Sequence, residues 1–240
     1  MIQSNQATFV LVHGAWHGGW CWKKLVPLLR AAGHEVYAPT LSGLADRAHL
    51  LSPQIGLNTH IADITALLEY EDLNNVILVG HSYAGMVITG VAEAALSRLA
   101  HLVFLDAFVP QDGQSLFDTI PDHGAAMRKI AEASGDGWHV PLNNATFGVT
   151  DAADVAWMAT RITTQPLRSF EEPVHLTDPV ALALPRSYIL CRQEEPSLFQ
   201  PFAEAAQTDG WGYHELPTCH DAMITMPGEL AHILLEAAST

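Results

Sequence analysis

Short apolar runs alternate with helical patterns along most of the chain. Most of the runs are continuous rather than alternating in polarity, which is typical of strands buried on both faces of a parallel sheet. We expect strands at residues 8–13, 35–41, 75–80, 101–106, 187–191 and 212–216. Helical patterns lie between them, at residues 22–33, 59–70 and 83–99 and from Pro227 onward. This order predicts an α/β fold with a mostly parallel six-stranded sheet and helices on both faces.

The alternation breaks between about residues 107 and 185, where strand signals are few and helical ones several. An insertion of this size in a regular sheet is most simply a cap over the carboxyl ends of the strands. The chain has 240 residues, of which 49% are hydrophobic and 15% charged. We therefore expect one globular domain over residues 1–240, with a helical cap insertion at about 107–185.

Charge and cysteine usage restrict the classes of partner. The formal net charge is −15, which opposes phosphate binding and excludes nucleic acid as an expected partner. A neutral small molecule fits this field better. The cysteines, Cys21, Cys191 and Cys219, form no CxxC and are expected as free thiols of a reducing compartment. With no signal-peptide pattern and no apolar run of membrane-spanning length, we expect a cytoplasmic protein without a membrane partner.

The stretch "VILVGHSYAGMV" at residues 76–87 places a serine between a buried strand and a small-residue helix. In a strand–serine–helix turn the bend lifts the hydroxyl above the sheet, and small neighbours let strand and helix pack closely. Gly80, Ser82 and Ala84 occupy the G-x-S-x-G positions, with alanine in place of the second glycine. We interpret Ser82 as a nucleophile rather than as an ordinary helix N-cap.

A serine nucleophile needs a base, and His220 is the best placed of the 13 histidines. It follows the last strand and precedes the last helix, so its loop meets the loop of Ser82 at one edge of the sheet. The acid is ambiguous. Asp106 ends a strand in apolar surroundings, where a carboxylate needs a partner, whereas Glu194 follows the next strand beside other charges. Chain order allows both; we favour Asp106.

An oxyanion formed at an attacked carbonyl needs two hydrogen-bond donors. The backbone N–H of Tyr83, directly after the serine, is one candidate. The N–H of Ala15, in the glycine-rich loop "HGAWHGGW" after the first strand, is the other. His13 and His17 lie four residues apart in this loop, but no third ligand is near them in sequence, so we expect no metal and no cofactor.

These motifs together resemble the α/β-hydrolase superfamily, and most closely its branch of plant methylesterases, hydroxynitrile lyases and small bacterial esterases. The resemblance rests on "FVLVHGAWHGGWCW", "GHSYAGMV", "LVFLDAFVP" and "CHDAM", and covers nearly the whole chain. It implies the α/β-hydrolase fold with a helical cap. It also implies the family's nucleophile at Ser82, its base at His220 and its oxyanion donors at Ala15 and Tyr83.

Two positions depart from relatives in this branch. Plant hydroxynitrile lyases carry a threonine after the first histidine and a lysine after the catalytic one, and this chain has Gly14 and Asp221 there. An aspartate would not stabilise cyanide, so the resemblance favours ester hydrolysis. Plant methylesterases place an aspartate where Glu194 falls and lack one at Asp106, so the resemblance leaves the acid open.

We therefore expect a carboxylesterase-type serine hydrolase that cleaves a small neutral ester through an acyl-enzyme. The alternatives are a hydroxynitrile-lyase-type C–C lyase and a ligand-binding, receptor-like protein that retains the triad. A homodimer is compatible with the sequence. Four aromatic residues are candidates for the wall of the substrate pocket, although each is also explained as part of the core: Tyr83, Phe108, Trp138 and Trp157.

Overall fold

The computed structural model of the protein describes residues 6–134, 136–142, 146–177, 184–193 and 197–238. Its strands are β1 Thr8–Val12, β2 Glu35–Tyr37, β3 Val76–His81, β4 Leu99–Leu105, β5 His139–Val140, β6 Gln165–Pro166, β7 Arg186–Cys191 and β8 Gly212–Leu216. Six of them form one sheet in the order β2-β1-β3-β4-β7-β8, and every neighbouring pair in it is parallel. The predicted fold class is confirmed.

Helices connect the strands. They are α1 Val26–Ala31, α2 Leu57–Tyr70, α3 Ala84–Ala95, α4 Leu116–Thr119, α5 Pro121–Ala133, α6 Ala152–Ala159, α7 Arg168–Glu171, α8 Gln200–Thr208, α9 Ala222–Thr225 and α10 Pro227–Ala237. Shorter 3-10 turns occupy Gly19–Lys24, Ala45–Leu50 and Leu96–Arg98. In the described part of the chain, no helix combines the length and apolar character needed to cross a bilayer.

Several predicted boundaries were wrong by a few residues. The helix expected at 22–33 is a 3-10 turn followed by α1, whose second position holds Pro27. The helix expected at 83–99 ends at Ala95, and β4 already begins at Leu99. The strand expected at 35–41 ends at Tyr37. Pro39 follows closely, and a proline has no N–H to extend the ladder of this edge strand.

The sheet is covered on both faces, as its continuous apolar runs predicted. Along β1, Phe9 and Leu11 belong to one buried cluster and Val10 and Val12 to the other. All four side chains are fully buried. Because successive side chains of a strand point to opposite faces, each face packs against its own layer of helices.

The segment between β4 and β7 contains α4 to α7 and the antiparallel pair β5–β6. Several of its side chains line a cavity next to the carboxyl ends of β3 and β4, among them Leu116, Ile120 and Phe170. Residues 178–183 lie outside the described residues. A single domain with a cap bounded at about 107 and 185 stays a prediction.

Two fully buried histidines join the loops beside the sheet. The ring of His13 donates from Nδ1 to the Gly14 carbonyl at 2.8 Å and accepts the Leu41 N–H at Nε2 at 3.0 Å. The ring of His60 donates from Nε2 to the Ser42 carbonyl at 3.0 Å and accepts the Tyr83 hydroxyl at Nδ1. Burial lowers the pKa of His13 to about 3 and that of His60 to about 4. Both rings are therefore neutral at neutral pH.

These histidines predict a loss of stability in mild acid. Below pH 6.5, their ordinary pKa, the unfolded chain binds protons that the folded chain does not accept, so the free energy of unfolding falls with pH. Each ring should contribute about 1.4 kcal/mol per pH unit to the slope of the unfolding free energy against pH, between roughly pH 6.5 and pH 5. Denaturant titrations across this range measure the slope. His60→Gln should flatten the slope by one histidine's share, and an unchanged slope in this variant would contradict the assignment.

Candidate active site

Ser82 occupies a sharp turn between β3 and α3. Its backbone has φ = 56°, in the left-handed region that non-glycine residues rarely adopt. The turn is held by its own peptide groups: the Ser82 N–H donates to the Leu105 carbonyl at 3.1 Å, and the Ser82 carbonyl accepts the N–H groups of Gly85 and Phe108. A Cβ on Gly85 would lie 1.9 Å from the Phe108 carbonyl oxygen. The strained turn therefore depends on the glycine beside it.

His220 lies between β8 and α9, and its Nδ1 is 2.6 Å from Oδ2 of Asp106. Asp106 directly follows β4 and is 3% exposed. Its other carboxylate oxygen accepts the Cys191 N–H at 3.1 Å. A carboxylate only accepts hydrogen bonds, so Nδ1 of His220 is the donor in this contact. Glu194, the alternative acid, lies outside the described residues.

Two rings fix the His220 imidazole from the sides. Phe199 stacks on it almost in parallel, with ring centres 4.9 Å apart and planes 6° apart. His81 donates from Nε2 to the His220 carbonyl at 3.0 Å, and its ring lies 4.4 Å from the His220 ring. Burial lowers the pKa of His81 well below 6.5, and the nearby histidines add to this effect. A neutral His81 thus holds the backbone of His220.

Ser82, Asp106 and His220 open onto one cavity of about 410 Å³. Six aromatic side chains line it: Trp16, Tyr83, Phe108, Phe147, Phe170 and Phe199. Leu116, Ile120 and Met127 add aliphatic surface from the segment between β4 and β7. Among the described residues, the cavity wall contains no lysine and no arginine. The cavity suits a small, largely apolar, uncharged ligand.

Ala15 and Tyr83 also line this cavity. In the described part of the chain, neither backbone N–H has a hydrogen-bond acceptor, whereas the next one, of Trp16, donates to Oε1 of Gln165 at 3.0 Å. The Tyr83 hydroxyl is bound to His60 below the cavity. Two amides are thus available beside the serine, and their role as oxyanion donors stays a prediction.

Of the four aromatic candidates for the cavity wall, two line the cavity. Tyr83 and Phe108 line the cavity, but Trp138 and Trp157 do not. Trp157 packs edge-on against Trp20, with ring centres 5.0 Å apart, and Trp138 packs against His139. The sequence could not separate the cavity-lining candidates from the others, because no sequence pattern fixes which face of the inserted segment meets the sheet.

Phe147 and Phe199 were missed, although Phe199 sits just before α8, in the loop after β7 at the same edge of the sheet. Asp221 directly follows the predicted base in the chain. Its side chain is fully buried and bound to His17 at 3.2 Å.

Comparisons with known proteins agree with this architecture. Residues 9–233 match the model of a family described as the alpha/beta hydrolase family. A carbendazim hydrolyzing esterase from Nocardioides sp. is 41% identical, over 95% of this chain and 98% of its own length. Salicylic acid-binding protein 2 of Nicotiana tabacum is 29% identical over 96% of each chain. An extracellular alpha/beta-hydrolase from a Paenibacillus species superposes with a TM-score of 0.83 at 25% identity, covering 96% of this chain and 98% of its own.

The two candidate acids can be separated by matched amide substitutions. Asp106→Asn should slow the reaction of Ser82 with a serine-directed phosphonate by up to roughly four orders of magnitude, because the amide no longer fixes the His220 tautomer. Glu194→Gln should leave the rate within about twofold of the parent. Thermal unfolding of both variants checks that they are folded. A large loss in Glu194→Gln with a normal rate in Asp106→Asn would transfer the role to Glu194.

Proposed function

The chain belongs to the alpha/beta hydrolase family, and from this premise we propose that it is a serine esterase that cleaves small neutral carboxylic esters through an acyl-enzyme on Ser82. The Nocardioides esterase is matched over nearly its whole length. This similarity supports assignment to the carboxylesterase class. We further propose the catalytic residues, the acyl-enzyme intermediate and the class of substrate. A cytoplasmic location and a homodimer stay predictions.

In the proposed reaction, Oγ of Ser82 attacks the ester carbonyl while Nε2 of His220 takes its proton. The N–H groups of Ala15 and Tyr83 stabilise the oxyanion of the tetrahedral intermediate. His220 then returns the proton to the leaving alkoxide, and the alcohol departs. Water, deprotonated by the same imidazole, releases the acid and restores the serine. Asp106 stabilises the imidazolium that forms in each half-reaction.

One observation carries the proposal: the Asp106 carboxylate holds Nδ1 of His220 at 2.6 Å in the wall of the cavity that Ser82 also lines. A buried carboxylate is costly unless it is partnered, and here its two oxygens bind an imidazole and a backbone N–H. The Phe199 ring lies flat over the same imidazole. A transient imidazolium gains from both the carboxylate and the aromatic face.

The nature of the cavity supports a neutral substrate with an aromatic or other flat apolar part. Its aromatic wall provides faces for stacking, and a cavity of about 410 Å³ encloses a compact molecule. The described cavity wall contains no lysine or arginine, and the protein has a net charge of −15. An anionic substrate would therefore find no counter-charge there. Carbendazim, the compound in the name of the Nocardioides relative, belongs in the first set of test substrates.

The lyase alternative finds no support in the residues that would serve it. A Cβ at Gly14 would lie 2.9 Å from Nδ1 of His81 and 3.0 Å from Cβ of Ser82. A threonine at this position is therefore excluded unless its neighbours move. Asp221 is turned away from the cavity and carries the wrong charge to bind cyanide.

We expect turnover of chromogenic esters with short or aromatic acyl groups. A serine-directed phosphonate should add one label, located at Ser82 by intact-mass and peptide analysis. The parent and Ser82→Ala are compared across the ester panel, carbendazim and a cyanohydrin. Ser82→Ala should be inactive and unlabelled yet still folded, because the change removes only one oxygen atom.

Other outcomes point elsewhere. Cyanide release without ester turnover would identify a lyase. Tight binding of small aromatic ligands by both proteins, with negligible turnover by the parent, would identify a receptor-like protein. Labelling of a folded parent at a residue other than Ser82 would refute the proposed nucleophile.

A further inference from the structure

We propose that His17 is a positioning residue that, as an imidazolium paired with Asp221, fixes the Ala15 peptide and so ties the oxyanion donor to the loop of the catalytic base. The inference rests on the proposed function, since it assigns Ala15 N–H to the oxyanion. His17 and Asp221 are fully or almost fully buried, and neither side chain lines the cavity. They act on the site only through the groups that they hold.

The hydrogen bonds of His17 define its protonation state. Nδ1 lies 2.8 Å from the Ala15 carbonyl oxygen, and Nε2 lies 3.2 Å from Oδ2 of Asp221. A carbonyl and a carboxylate both accept hydrogen bonds, whereas a neutral imidazole has only one N–H to donate. Both contacts are satisfied together only by the doubly protonated ring. Burial alone would lower the pKa of His17, but the charge and hydrogen bond of Asp221 outweigh it, so the pKa is raised above 6.5.

The bond to the Ala15 carbonyl orients a peptide next to the cavity. The peptide that joins Ala15 to Trp16 is held at its oxygen by His17 and at its N–H by Gln165. The preceding peptide is held at the Gly14 oxygen by His13. Because peptides are planar and trans, fixing the Gly14 oxygen aims the Ala15 N–H in the opposite direction. Ala15 is thus set between two fixed planes, and its N–H lacks an acceptor within the described chain.

Asp221 links this arrangement to the base because it directly follows His220 in the chain. Its Oδ2 binds His17, and its Oδ1 lies 3.8 Å from Nε2 of His81, the nitrogen that donates to the His220 carbonyl. A shift of Asp221 would therefore displace the backbone of the base and the oxyanion loop together.

The surroundings of His17 isolate the pair from solvent. Trp20 stacks on the ring with centres 5.2 Å apart, and Phe147 lies at 4.7 Å. The titratable groups that face the pair from the elements packed around it are His13 after β1, Cys21 in the following turn, His81 at the end of β3, Cys191 at the end of β7, and Cys219 and His220 before Asp221 itself. His13 and His81 are held neutral by burial. The imidazolium therefore depends on Asp221.

Asp221→Asn and His17→Gln test the proposal kinetically. Each should lower kcat by roughly tenfold to a hundredfold, because a misaimed donor weakens a bond made only in the transition state. KM should stay within about twofold, since the cavity wall is unchanged. If the pair acts as a unit, the double variant should be no slower than the poorer single variant.

The pH profile separates this role from plain structural support. In the parent, kcat should fall at high pH as His17 loses its proton. Removing the carboxylate lowers the pKa of His17, so this limb should move to lower pH in Asp221→Asn. NMR of isotope-labelled histidine, with the His17 signal identified by its loss in His17→Gln, should show both nitrogens protonated in the parent just above pH 6.5 and a neutral ring in Asp221→Asn.

Two matched controls come from surface ion pairs. Asp154→Asn breaks the exposed pair with Lys24, and His232→Gln the exposed pair with Glu236; both should retain the parent kcat and pH profile. A neutral His17 in the parent, or an unchanged kcat and alkaline limb in folded Asp221→Asn, would overturn the proposal. If Asp221→Asn and His17→Gln both fail to fold, sequential backbone-to-ring NMR assignment of His17 in the parent still decides. A parent that neither turns over esters nor labels at Ser82 would instead refute the proposed function.

Discussion

The parallel sheet is the constraint on which the site depends. All six strands of the sheet end at one edge, so the loops that follow β1, β3, β4 and β8 meet there. These loops carry Ala15, Ser82, Asp106 and His220, which are up to 205 residues apart in the chain (220 − 15). The inter-strand hydrogen bonds extend into the turns themselves: the Ser82 N–H donates to the end of β4, and the Asp106 N–H to β7 at 2.8 Å. The backbone that forms the sheet therefore also sets the positions of the reactive groups.

The strained turns show how this arrangement is maintained. Ser82 and Asp106 both have positive φ, at 56° and 43°. Such conformations persist only where the surroundings over-determine them. At Asp106, Tyr188 from the neighbouring strand binds both the N–H and the carbonyl of the following residue, Ala107. The strain is thus balanced by hydrogen bonds between adjacent strands, in the most buried layer of the protein.

Sequence patterns predicted most of the fold because strand and helix signals are local. Continuous apolar runs identified all six strands of the main sheet, and the G-x-S-x context placed the turn that holds Ser82. Predicted element boundaries were wrong where tertiary contacts or a proline ended an element early, as Pro39 does after β2. The residues of the cavity wall could not be predicted for another reason. No local sequence pattern determines whether Trp157 packs against Trp20 or faces the cavity. The partner of Asp221 was missed because His17 lies 204 residues away in the chain. The two meet only because their loops lie at the same edge of the sheet.

The His220–Asp106 and His17–Asp221 pairs differ in the access to their imidazoles. His220 reaches the cavity, its side chain is 18% exposed, and only one of its nitrogens faces a carboxylate. Its other nitrogen is the one that exchanges protons with the ligand in the proposed reaction. His17 is 1% exposed, and both of its nitrogens face acceptors. Such a ring has no free lone pair to act as a base, so its proton is held rather than passed on. Access to the second nitrogen therefore distinguishes the two pairs: the His220 ring is open to the cavity, as proton transfer in the proposed reaction requires, and the His17 ring is enclosed by acceptors.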